Sequence, residues 1–96
     1  HPPFDTTFCV ANARRTLTEC CWLQGSNGIK MAVATTEPGL HLYDAREAKR
    51  PDGPFYEGIA IEAQGWPDAP NHRGFPSIRL KAGETYAQTT SWRFET

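Results

Sequence analysis

From Ile29 to Ala34 the chain alternates strictly, with Ile29, Met31 and Val33 set against Lys30, Ala32 and Ala34. A repeat of two is the period of a strand with one buried face, and no sustained 3.6-residue stripe competes with it anywhere in the sequence. The run is bounded by Asn27-Gly28, a strong hairpin signal, and by Glu37-Pro38-Gly39, where Pro then Gly mark a turn. A chain punctuated in this way is constrained to be all-β.

The remaining segments repeat the pattern. Phe8 to Asn12 and Glu19 to Gln24 read as the strands before this run, and Leu40 to Tyr43 as the strand after it, with His41 facing away from the side of Leu40 and Leu42. Asp44 to Glu57 is charged and contains Arg50-Pro51-Asp52-Gly53-Pro54, which suits a long surface loop and not a central strand. A strand ending at Gln64, a loop from Pro67 to Pro76, a strand over Ser77 to Leu80, a tight turn at Gly83 and a half-buried strand within Glu84 to Phe94 complete the reading. In that last strand Tyr86, Trp92 and Phe94 share a face. Seven short strands in a meander predict an antiparallel sheet or β-sandwich. Residues 1–96 form one domain, because a chain this short buries only about 60–65% of its unfolded surface and no linker divides it.

One strand carries a residue that ordinary strand formation does not explain. In Gly58-Ile59-Ala60-Ile61-Glu62-Ala63-Gln64-Gly65-Trp66, Ile59 and Ile61 point to one face while Ala60, Glu62 and Gln64 point to the other. Glu is depleted in strands, and a buried carboxylate must be hydrogen-bonded or neutralised. Glu62 therefore stands on a small-residue face as a candidate site carboxylate, with a structural ion pair as the plain alternative. Gln64 shares its face and can orient Glu62 or a substrate. Trp66 offers either an aromatic stacking surface for a ligand or a core side chain.

Charge narrows the partners. Ten basic and eleven acidic residues leave a net charge of −1, with no footprint for nucleic acid or an anionic membrane. No apolar run approaches the roughly 20 residues of a membrane span, and the N-terminus lacks a signal-peptide layout. Cys9, Cys20 and Cys21 are odd in number, two of them adjacent, and they lie far in sequence from His1, His41 and His72. Free thiols in a reducing cytoplasm are expected in place of a disulfide framework or metal site. The start at His1, without an initiator Met, suggests a piece of something longer.

Several blocks carry more. Phe4-Asp5 followed by Phe8, Thr35-Thr36-Glu37-Pro38-Gly39-Leu40, Ile61-Glu62-Ala63-Gln64 with Pro67-Asp68-Ala69-Pro70-Asn71, then Phe75-Pro76, Gly83-Glu84, Tyr86 and Thr89-Thr90-Ser91-Trp92-Arg93-Phe94 run nearly the whole chain. In that order and spacing the chain resembles the C-terminal part of the aldose 1-epimerase (galactose mutarotase) family. The resemblance implies a galactose mutarotase-like supersandwich and interconversion of the α and β anomers of a free aldohexose, with no metal or organic cofactor. It places the general base on Glu62 and a sugar-binding carboxylate on Asp5. The family's acid His lies upstream of these blocks, so the isolated stretch is expected to be inactive and to need a missing N-terminal segment or a second chain, which would also complete its sheet.

Departures from the family pattern fall at Thr6, where a His usually follows the Asp, and at Asp44-Ala45-Arg46, where Thr-Gly-Asn is usual. Arg46, Lys49 and Arg50 offer anion contacts for a modified sugar, against a solvated loop as the default. His72, close to Glu62 in sequence, is read as a surface His in preference to a local acid. A second class of reading keeps the fold without catalysis, as a carbohydrate-binding or regulatory module. A third is a small sandwich for protein interaction.

Overall fold

The computed structural model describes residues 4–47 and 50–96. The stretch is all-β, in keeping with a sandwich class. Six strands, β1 (Asp5–Cys9), β2 (Thr18–Gln24), β3 (Lys30–Thr35), β4 (Gly39–Tyr43), β5 (Ala60–Gln64) and β6 (Thr90–Glu95), are joined by loops and one short 3-10 turn at Ala69–Asn71. They form two antiparallel sheets of three strands, ordered β1-β4-β5 and β2-β3-β6.

The Asn27-Gly28 signal makes its hairpin. Gly25 N–H bonds Ile29 O at 2.9 Å, Ile29 N–H bonds Asn27 Oδ1 at 3.1 Å, and Gly28 takes a φ of 90° that only glycine adopts cheaply. Pairing runs from Gln24↔Lys30 to Thr18↔Thr35, with a bulge at Cys20. The Pro-Gly segment behaves differently: Thr36 to Pro38 is a corner that moves the chain from one sheet to the other, and Gly39 already pairs in β4. The order is therefore not a meander. The corner is fastened through the Pro38 carbonyl, which accepts from Val10 N (3.0 Å), Ala11 N (3.2 Å) and Trp66 Nε1 (3.0 Å).

That fastening also accounts for the first strand. It runs over Asp5–Cys9 and not Phe8 to Asn12, because the β4 ladder ends at Cys9↔Gly39 and the next two amides wrap onto Pro38. Ser77 to Leu80 forms no strand: no ladder pairs with it, Ile78 and Leu80 are exposed, and Arg79 N–H bonds Ser77 Oγ locally. The last strand begins only at Thr90. Upstream of it Tyr86 and Gln88 send their side chains to Glu37, and the backbone first meets the β3 end through Thr36 N–H to Thr89 O at 3.0 Å.

The core lies on β3, the corner and the start of β4: Ala32, Val33, Thr35, Glu37, Pro38 and Leu40 are buried. Glu37, only 1% exposed, takes Arg14 Nε at 3.2 Å, Gln88 Nε2 at 3.1 Å and the Tyr86 hydroxyl, while Arg14 lies 4.4 Å over the Tyr86 ring. Outside this centre the chain is open. Its radius of gyration, 15.7 Å, exceeds the roughly 13 Å of a compact domain of about 100 residues. Trp92 and Phe94 share the face of Val33 and Met31 as expected, yet they are 52% and 66% exposed on the edge strand β6, so that strand is not half-buried within this stretch. No described helix is long and apolar enough to cross a membrane.

Candidate functional site

Antiparallel pairing puts directly opposed residues on one side of a sheet. In β1-β4-β5 this sorts the side chains into two sets. Phe8, Leu40 and Ala63, with Thr6, Leu42 and Ile61, occupy one side, and Leu40 is 2% exposed. Asp5, Tyr43 and Ala60, then Thr7, His41 and Glu62, then Cys9, Gly39 and Gln64 occupy the other. The alternation expected at Glu62 is therefore present, with Ala60 leaving room beside it.

This second side bears an open hollow of about 320 Å³, lined by Asp5, His41, Tyr43, Glu47 and Glu62. Its size is at the lower end of small-molecule pockets, which run from about 300 to 1,000 Å³. The structure thus brings together Asp5 and Glu62, which lie on the two edge strands and far apart in sequence. Between them stands His41, on the central strand. Its Nε2 lies 2.8 Å from Asp5 Oδ1 and its Nδ1 2.7 Å from Thr7 Oγ1. The tautomer follows from the partners: a carboxylate can only accept, so Nε2 carries a proton, while the Thr7 hydroxyl can serve either state of Nδ1.

The backbone that presents Asp5 is held from below. Asp44, buried at the end of β4, accepts Phe4 N–H at 2.8 Å and Arg46 N–H at 3.2 Å, and its own N–H bonds Phe4 O at 3.0 Å. The departure at this position is therefore a structural peg. Ala45 follows in a left-handed conformation, φ 61°. Glu47 comes back to the hollow because its N–H bonds the Tyr43 hydroxyl at 2.9 Å.

Two other expected residues sit apart from the hollow. Gln64 is on the Glu62 side of β5 but lines a neighbouring depression with Arg14, Tyr86 and Gln88. Trp66 gives its indole N–H to Pro38 O and sets its ring against Phe75, centroids 5.0 Å apart at 76°. His72 is exposed, stacks on Phe75 at 4.4 Å and lies 3.0 Å from Asp68, away from the hollow. Arg46 lies 3.6 Å from Glu47, Arg50 pairs with Glu57 across its own loop, and Lys49 falls outside the described residues.

The sequence reading placed His41 on the side away from Leu40 and Leu42, as found, without assigning it to the site, and it did not single out Tyr43 or Glu47. A signal for His41 and Tyr43 was present, since Leu40-His41-Leu42-Tyr43 and Ile61-Glu62 alternate in the same sense, but only the pairing of β4 with β5 brings the polar sets together. Among the described residues no group of three His, Cys, Asp or Glu side chains is disposed to hold a metal ion.

Comparison with known proteins gives the family. The family model described as Aldose 1-epimerase matches residues 2–93. Galactose mutarotase of Bos taurus is 33% identical over 98 residues, covering 95% of this chain and 29% of the relative, and that of Homo sapiens is 32% identical with the same coverage. Aldose 1-epimerase of Escherichia coli K12 is 31% identical over 74 residues, 69% of this chain and 21% of the relative. The chain thus spans about 29% of the length of its mammalian relatives. With nearly every residue inside the family match, the chain belongs to the aldose 1-epimerase family.

Proposed function

We propose that this chain carries the base half of an aldose 1-epimerase site, with Glu62 as general base and Asp5 as the carboxylate that receives sugar hydroxyls. One observation carries the reading: Glu62 is exposed on the polar side of its sheet, in the same hollow as Asp5, although the two are 57 positions apart in a chain that matches the family along its length. In the reaction the Glu62 carboxylate takes the proton from the anomeric hydroxyl. The C1–O5 bond breaks as an acid protonates the ring oxygen, leaving an open-chain aldehyde. Rotation about C1–C2 and reclosure, with the proton transfers reversed, give the other anomer.

The acid, a His on a segment upstream of this stretch, completes the pair, and each such positioned group contributes about 10²–10⁴-fold. The chemistry calls for no metal or organic cofactor. The open Trp92 and Phe94 surface on β6 supports a further segment or second chain covering that edge. A cytoplasmic setting fits Cys9, Cys20 and Cys21, all free thiols here.

The test is polarimetry of a freshly dissolved α-aldohexose with the protein as it is encoded. Glu62→Gln is expected to lower kcat about 10²-fold or more, while sugar affinity stays within about threefold. Undiminished turnover would reject the base assignment. Sugar binding without turnover in the unmutated protein would favour the carbohydrate-binding module.

A further inference from the structure

We infer that His41 is the positioning residue of this site: from the central strand it holds the Asp5 carboxylate in a fixed place relative to Glu62. The inference rests on the function proposed above and names a residue that reading does not use. Asp5 is the first residue of an edge strand and its side chain is 61% exposed, so left alone it would sample several rotamers. His41 is only 22% exposed and is held at both ring nitrogens, by Asp5 at 2.8 Å and Thr7 at 2.7 Å. An imidazole engaged on both sides has no free nitrogen for a sugar oxygen, and this assigns it to positioning and not to proton transfer. Its neighbours around the hollow are Asp5 and Thr7 on β1, Tyr43 on its own strand, Glu62 directly opposite on β5, and Glu47 from the loop. The row Thr7, His41, Glu62 crosses the whole sheet, and Asp5, the next same-side residue to Thr7 on β1, lies within hydrogen-bond reach of the ring.

A ring that acts through Asp5 affects binding more than chemistry. In the encoded protein, His41→Leu is expected to raise KM about tenfold, the worth of one well-placed hydrogen bond to a charged group, with kcat within about threefold. His41→Gln, whose amide N–H reaches the same carboxylate, should return KM to within about threefold of the unmutated value. In an Asp5→Asn background, His41→Leu should add less than about twofold, because the two changes remove one interaction. An unchanged KM in His41→Leu overturns the inference, as does a kcat loss on the scale of Glu62→Gln or full additivity with Asp5→Asn. Where His41→Leu does not fold, the ring nitrogens of His41 are read by NMR in Asp5→Asn. Shifted nitrogen resonances support the contact, and unmoved ones overturn it. Glu62→Gln runs alongside, so retained turnover there marks failure of the proposed function itself.

Discussion

Replacing Glu37 by Ala is expected to cost about 3 kcal/mol of folding stability, because the carboxylate is the shared acceptor of three side chains at the corner between the sheets. Arg14 Nε at 3.2 Å, Gln88 Nε2 at 3.1 Å and the Tyr86 hydroxyl all converge on it, and Glu37 itself is 1% exposed. Hydrogen bonds to charged groups are worth about 1.5–3 kcal/mol each, which would total about 4.5–9 kcal/mol. Arg14 and Tyr86 are both more than 40% exposed, so on losing Glu37 they return to water and recover most of their share. About 1 kcal/mol per contact remains. Glu37→Gln keeps the shape and one acceptor oxygen, so its cost should be about 1–1.5 kcal/mol. Urea unfolding followed by tryptophan fluorescence measures both, and at this chain length 3 kcal/mol corresponds to roughly 12–24 °C in Tm. Glu37→Ala within about 0.5 kcal/mol of the unmutated protein, or Glu37→Gln as costly as Ala, would refute the idea that a shared carboxylate holds the corner.

Three further outcomes follow from particular contacts. A methyl group at Gly39 would lie 2.9 Å from Gln64 O and 3.2 Å from Gly65 O, both backbone atoms, so Gly39→Ala should cost about 2 kcal/mol in urea unfolding; no loss would mean that β4 and β5 can separate freely there. The Asp68 carboxyl, exposed on its loop, is held below the usual aspartate range, first by the Asn71 amide and then by the His72 ring. Its contribution to stability is complete above the unfolded aspartate value and fades as pH falls through the lowered folded one, and Asp68→Ala should flatten that acid limb in pH-dependent unfolding. Burial pushes up the Cys20 and Cys21 thiols, with the adjacent Cys21 adding to the effect at Cys20, so mass spectrometry at pH 8 should find both alkylated more slowly than a free-cysteine peptide.

Much of the fold is written in short-range pattern. The hairpin at Asn27-Gly28 and the sidedness of Glu62 needed only turn chemistry and a period of two. The parts that were not legible all depend on partners distant in sequence. Ser77 to Leu80 alternates like a strand, but alternation does not create a neighbour. Tyr86 looks like a strand residue until Glu37, 49 positions earlier, takes its hydroxyl. The corner at Pro38 reads as a hairpin turn because a Pro-Gly pair says where a strand stops and nothing about which sheet comes next. The same limit hid His41, whose place between Asp5 and Glu62 is set by the β1-β4-β5 order.

Register is where fold and chemistry meet in this sheet. Slipping β1 by one residue against β4 would carry Thr6 and Phe8 into the hollow and press Asp5 and Thr7 against the side of Leu40 and Leu42. The carboxylate would then lose His41 and stand on the side of Leu40 and Leu42, away from the hollow. Two fastenings oppose the slip from opposite ends of the ladder: Asp44 holds Phe4 by its side chain and backbone, and Pro38 O holds Val10 and Ala11. Neither fastening touches the hollow, yet both decide which face Asp5 presents. The Asp44-Ala45-Arg46 segment thus sits where the chain fixes its register, and it acts on the hollow through the placing of Asp5.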